Sequence, residues 1–393
     1  MFVEPTVFIL GAGASWHYGY PTGEQLVKKI LERTNNLQKY LEFSVRTRHG
    51  NIPAYIAEME KPNASIQDKW QRALDNCTAL KTRLEQVNPL VIDYFLGWNP
   101  TLKSVGKLLI TWVILECEYR YEQNRSNLNR REALLDSPLE PDRIRANNIS
   151  LQKYKDNWCR FLIHQIAIDC KSSSDILKNT VHFVSFNYDI SLERALSSGL
   201  SHIELFQRDD IEKFLANDRV VHVYGKVREN PFDLPPELAW GNQALNTERA
   251  SAQQLVEYEH FLNQIYHASR GVRVIDPDDK GADQGAIDAA VSAIRNAAHV
   301  YILGYGFDEN NTARLNLQES LWAVKPTKQS VSFTNFGNSS RINKRASKVF
   351  FRNEANFSSE LPQVASLNQS RYEKSHRDVY EALELDFDLP SRQ

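Results

Sequence analysis

Five short apolar, β-branched runs each stop at glycine or polar residues, and this repetition constrains the fold more than any other feature of the chain. Thr6–Leu10 (TVFIL) ends at GAGAS, and Val181–Ser185 (VHFVS) ends at Phe186-Asn187-Tyr188-Asp189. Arg219–Val223 (RVVHV) ends at Tyr224-Gly225-Lys226, and His299–Leu303 (HVYIL) ends at Gly304-Tyr305-Gly306-Phe307-Asp308. Ser330–Thr334 (SVSFT) ends at Asn335-Phe336-Gly337-Asn338-Ser339. Runs this apolar suit strands covered on both faces, as in a parallel sheet packed by helices. Ligands of open parallel sheets sit outside the carboxyl ends of the strands, so five such endings predict one crevice built from five loops. Val272–Ile275 and Lys348–Phe351 read as two further strands without such an ending.

Helical patterns fill the gaps. Thr22 and Gln25 form a capping box opening a helix near Gly23–Arg33, and Asp189 and Asp308 are placed to cap the helices that follow them. Between about Leu31 and Lys178 the periodicity is helical, with Leu102–Tyr121 as one long helix and Trp158, Phe161, Leu162 and Ile166 on one face of another. Asn124–Ser150 reads as an exposed polar loop, and Trp240-Gly241 as a surface turn or lid in a proline-rich stretch. The expected architecture is α/β and Rossmann-like: a mostly parallel sheet from residues 1–30 plus 179–393, with an all-helical insertion over 31–178.

Composition narrows the function classes. The net charge of −2 over 393 residues gives no field that would favour nucleic acid or a membrane surface. The most apolar run, Leu108–Leu115, is too short to cross a bilayer, which needs roughly 20 residues, and it reads as a buried or subunit-facing helix. Cys77, Cys117, Cys159 and Cys170 form no C-x-x-C pair, and the histidines show no zinc-site spacing, so no metal is expected. The N-terminus lacks signal-peptide features, and reduced thiols in a cytoplasm are the expected state.

The first turn is the strongest single motif. Gly11, Ala12, Gly13, Ala14 and Ser15 follow a strand directly and precede a helix, where glycines let the backbone approach a pyrophosphate. Trp16 stands where the dinucleotide fingerprint has its third glycine, and a plain tight turn is the alternative. The longer string, with Gly19-Tyr20-Pro21 behind it, resembles the first motif of the sirtuin superfamily. Asn187-Tyr188-Asp189 matches that family's Asn-x-Asp, and Gly304–Asn310 its late glycine-rich loop. Prokaryotic sirtuin-like defence proteins are the most similar, over residues 1–30 and 180–350.

The resemblance implies an NAD glycohydrolase that releases nicotinamide and ADP-ribose and depletes NAD in anti-phage defence by abortive infection. Asn187 would hold a ribose hydroxyl or orient water, since a carboxamide both donates and accepts. Asp189 would hold the nicotinamide amide or merely cap its helix. The family's catalytic histidine position holds Tyr224, with His222 two residues earlier on the same side of the strand. Either His222 acts as a base near neutral pH, or Tyr224 contacts the ribose and His222 is a core histidine. Gly304, Gly306, Asp308, Asn310 and Asn335, with Ser339, would line the adenosine end. A homo-oligomer is implied, with a defence partner such as an ATPase or phage-sensing protein as its control. The competing readings are an NAD or ADP-ribose sensor without turnover and, ranked lower, an NAD-dependent deacylase. Hydrolysis and cyclisation of NAD stay open.

Overall fold

The computed structural model describes residues 1–47, 50, 52–59, 64–135, 157–216, 219–233, 251–274, 284–322, 329–350 and 372–390. The chain divides into two compact units. One comprises Met1–Tyr18, Glu140–Val223 and Lys280–Gln393, and the other Gly19–Leu139 and Tyr224–Asp279.

The first unit is built on a six-stranded sheet in the described residues. Its strands are β1 (Thr6–Leu10), β2 (Val181–Ser185), β3 (Val220–His222), β4 (His299–Leu303), β5 (Ser330–Thr334) and β6 (Tyr372–Ser375). They lie in the order β3-β2-β1-β4-β5-β6, and every pairing is parallel. This is the doubly wound α/β arrangement, in which the order reverses on either side of β1. All five residues of β1 are buried, and Thr6–Leu10 is a central strand, paired with β2 on one side and β4 on the other. Phe8 stacks on Phe183 and Tyr301, with ring centroids 5.5 and 4.9 Å away. Burying an aliphatic or phenyl side chain contributes about 1.5–3 kcal/mol, so Val7, Phe8, Ile9 and Leu10 anchor the sheet centre.

Helices Cys159–Ala167 and Ser191–Ser201 belong to this unit and approach closely: a side chain at Gly199 would collide with Ile163. Trp158 is buried, and its indole N–H donates to the Ala14 carbonyl at 2.8 Å. That bond and the burial of Leu162 and Ile166 place this segment with the sheet, not with the helical insertion expected over 31–178.

The second unit is helical. Gly23–Thr47, Ile66–Val87, Lys103–Leu135 and Ala252–Ser269 enclose Tyr40, Trp70, Trp112 and Tyr258, all fully buried. Tyr40 meets Trp70 edge-on at 5.8 Å and lies 4.7 Å from Tyr258, while Trp112 meets Phe261 edge-on at 5.0 Å. Residues 224–279 therefore join this unit although the sequence pattern assigned them to the sheet; Tyr258 and Phe261 supply part of its aromatic core. Leu108–Leu115 is buried there. Ser65 caps Ile66–Val87 by accepting from Asp68 N, and left-handed Asn88 ends it. Gln25 accepts from Thr22 N at 3.0 Å, which supplies the glutamine half of the expected capping box.

Three local expectations differ from the structure. Lys348–Phe350 ends a helix, Ser340–Phe350, because Ala346, Val349 and Phe350 form its buried side while Lys344 and Lys348 face outward. Val272 forms only an isolated antiparallel bridge with Gly225, and Ile275 lies outside the described residues. Asn124–Leu135 continues the Lys103–Leu135 helix instead of opening a loop, while residues 136–150 of that expected loop and Trp240-Gly241 lie outside the described residues. No helix among the described residues is long and apolar enough to cross a membrane.

Candidate functional site

The reversal of strand order puts the turns after β1 and β4 side by side, and the two touch backbone to backbone. Gly11 N donates to Leu303 O and Gly13 N to Gly304 O, both at 3.0 Å. A Cβ on Gly11 would lie 2.5 Å from Gly304 O, and one on Gly13 would lie 2.7 Å from Gly304 Cα. Gly304 itself has φ +60°, and its N–H is held by Thr334 Oγ1 at 2.8 Å. The glycines are thus demanded by the approach of the second turn, and the Gly11 and Gly13 amides are spent on it. Ala12 begins the short helix Ala12–Ser15 and, like Gly13, is half-exposed.

Ser15 ties this turn to the loop after β2. Its hydroxyl donates to Asp189 Oδ1 at 3.0 Å, accepts from Asn187 Nδ2 at 2.8 Å and lies 3.2 Å from Ser191 Oγ. Asn187 Nδ2 also donates to Gly11 O at 3.0 Å, and Asn187 N donates to Ser185 Oγ at 3.1 Å. Both amide hydrogens of the Asn187 side chain are therefore committed. Its Oδ1 has no hydrogen-bond partner among the described residues. Two fixed donors lock the carboxamide so that this oxygen is presented as an acceptor at the carboxyl ends of β1 and β2.

Asp189 Oδ1 also accepts from Ser191 N at 3.0 Å, in an Asx turn that leads into Ser191–Ser201. Burial raises the Asp189 carboxyl above its ordinary range; hydrogen bonds from Ser191 and Ser15 and the charge of His222 oppose that rise. His222 closes the constellation from β3. Its Nδ1 lies 2.9 Å from the Asn187 backbone carbonyl, and its Nε2 lies 2.8 Å from Glu193 Oε1. Asn187, Asp189, Ser15 and His222 are thereby brought together.

The other candidates are placed differently. Tyr224 is buried as the first residue of the helical unit, where its carbonyl accepts from Arg273 N at 2.9 Å. Asp308 caps Glu309–Arg314 by accepting from Asn310 N and Asn311 N, while Gly306 and Asn310 are exposed. Between them Phe307, at φ 48°, is buried against Phe333 and Phe350. Asn335 is buried and closes its own loop: Oδ1 accepts from Ser339 N at 3.0 Å, and Nδ2 donates to Ser339 O and Asn343 Oδ1. Its role here is to shape the end of β5.

Glu193 and Ser191 escaped the sequence reading. Glu193 sits in the first turn of a helix, where an acidic residue is ordinary, and only the fold sets it against a histidine 29 positions away. No family model, no curated protein and no solved structure matches this chain.

Proposed function

We propose that the sheet unit binds NAD across the β1/β4 reversal and hydrolyses the bond between nicotinamide and ribose. The observation that carries this reading is Asn187: a carboxamide with both hydrogens committed and its oxygen presented as an acceptor, beside the turn that resembles the sirtuin motif. In this reaction the C1′–N bond breaks and its electron pair returns to the pyridinium nitrogen, so the leaving nicotinamide is neutral and needs no proton. Water adds to C1′ and releases its proton to solvent. Asn187 Oδ1 would accept from that water or from a ribose hydroxyl, lowering the energy of an oxocarbenium-like transition state. Asp189 would hold the nicotinamide carboxamide through its second oxygen.

Depletion of NAD in defence against phage, with an oligomer or a sensing partner restraining the activity, extends the same proposal. It rests on the resemblance of the motifs Gly11–Ser15, Asn187–Asp189 and Gly304–Asn310. Chromatography of NAD incubated with the purified chain is expected to show nicotinamide and ADP-ribose. Asn187→Ala is expected to reduce their formation by roughly 100-fold or more, comparable with removing one group that stabilises a transition state. Equal product from wild type and Asn187→Ala would remove the reading.

A second reading is a sensor that binds NAD or ADP-ribose without turnover. The engagement of both His222 ring nitrogens inside the protein favours it, because no imidazole lone pair remains for a reacting proton. Saturable NAD binding with no nicotinamide released, unchanged in Asn187→Ala, is the result that selects it.

A further inference from the structure

We infer that Glu193 is a positioning residue, acting through His222 to hold the Asn187 backbone and so aim its carboxamide. The functional part of this inference rests on Asn187 acting as proposed above. The Asn187 carbonyl can only accept, so His222 Nδ1 must carry hydrogen. Nε2 faces a carboxylate oxygen at 2.8 Å, so one further proton lies between His222 and Glu193. Whichever of the two holds it, the tautomer is fixed and the ring is left with no spare lone pair. Both side chains are about 95% buried, so this arrangement is shielded from water.

The consequence reaches the site along one connected path. Glu193 fixes the His222 ring, and His222 fixes the Asn187 carbonyl. The same residue's side chain is pinned by Gly11 O and Ser15 Oγ. Asn187 is thus held at its backbone from β3 and at its side chain from the turn after β1. His222, read from the sequence as either a base or a core histidine, is held as a hydrogen-bond donor to a backbone carbonyl, and Glu193, which braces its other nitrogen, carried no signal in the sequence. Geometry errors near 1 Å in a reacting group reduce rates by roughly 100-fold, so loosening one of these two holds is expected to be visible.

The test compares the full-length wild type with Glu193→Ala and Glu193→Gln. Glutamine can donate an amide hydrogen to a neutral Nε2 and so keep the ring held at both nitrogens, whereas alanine leaves it held by the Asn187 carbonyl alone. With ¹⁵N-labelled histidine, a slowly exchanging ring N–H that disappears in His222→Gln belongs to His222, and the different couplings of the two ring nitrogens to the ring carbon-bound hydrogens assign it to Nδ1. Its slow exchange is expected in wild type and Glu193→Gln and is lost in Glu193→Ala, where the ring is no longer braced at Nε2. For NAD hydrolysis, kcat is expected to fall about 10- to 100-fold in Glu193→Ala with KM within about threefold, and most of the loss is recovered in Glu193→Gln. Either readout moving alone in Glu193→Ala overturns the inference, as does a wild-type protein lacking the protected N–H. If the wild type turns over no NAD, the reading of Asn187 has failed instead, and the ring resonance in the three proteins still decides whether Glu193 holds His222. Glu193→Leu, nearer in volume, replaces the alanine variant if melting shows that the latter does not fold.

Discussion

Gly304→Ala is expected to be among the most damaging single-methyl additions in the sheet unit, and Gly306→Ala, two residues along the same loop, among the mildest. A Cβ on Gly304 would lie 2.6 Å from Gly13 Cα and closer still to the Gly13 carbonyl carbon and the Ala14 nitrogen. All three are backbone atoms, which cannot rotate away. Relief requires the turns after β1 and β4 to part by about 1 Å, since carbon atoms rest near 3.5–4.0 Å apart. Overpacking of this kind costs about 1–3 kcal/mol, and holding an alanine at φ +60° adds roughly 1–2 kcal/mol. The sum, about 2–5 kcal/mol, is a large fraction of the stability of an ordinary domain. At roughly 2–4 °C per kcal/mol for a unit of this size, the sheet unit should melt roughly 4–20 °C lower. Gly306 has open space around its Cβ position and no positive φ, so Gly306→Ala should stay within about 0.5 kcal/mol of wild type. Thermal unfolding followed by circular dichroism checks the pair, and NAD titration shows whether parting the turns also weakens binding. If Gly304→Ala and Gly306→Ala melt within about 1 °C of each other, the backbone contact at the strand reversal is not what requires Gly304.

Asp189→Asn is expected to raise the melting temperature near neutral pH. The Asp189 carboxyl is raised in the folded chain, so its contribution is fully present below the ordinary value of 3.8 and is lost as pH rises through the folded value. Asparagine keeps Oδ1 for Ser15 and Ser191 and cannot ionise, so its advantage should shrink as melts are repeated towards about pH 4; an advantage that does not depend on pH would refute this account. Ser15→Ala removes a donor to Asp189 and an acceptor for Asn187, and chemical denaturation should show a loss of about 1–3 kcal/mol. No measurable loss would mean that the serine hydroxyl is not the link between the two loops.

Much of the sheet was legible because its strands are locally unambiguous. The runs at Thr6, Val181, His299 and Ser330 became strands at the expected residues, and the run at Arg219 became the shorter Val220–His222. Tyr372–Ser375 was missed because an edge strand reading Tyr-Glu-Lys-Ser, with Glu373 exposed, lacks the apolar signal of a covered strand. Lys348–Phe351 misled for the opposite reason: a short apolar run reads alike as strand or as the buried side of a helix. The partners of the helices were illegible because helical periodicity says which face is buried and not against what, so it could not set Trp158 against Ala14 or Tyr258 against Tyr40.

The sequence alone determined that parallel strands end in glycine and polar loops, and that Gly11, Asn187 and Asp189 stand at such endings. Local patterning suffices for this, since strand propensity and turn chemistry act over a few residues. Only the tertiary structure decided the order β3-β2-β1-β4-β5-β6, which makes Gly304 the partner of Gly11 and Gly13. It also decided that His222 spends both ring nitrogens on Asn187 and Glu193. Those outcomes depend on which strands neighbour one another, and strand order is set by packing across the whole unit.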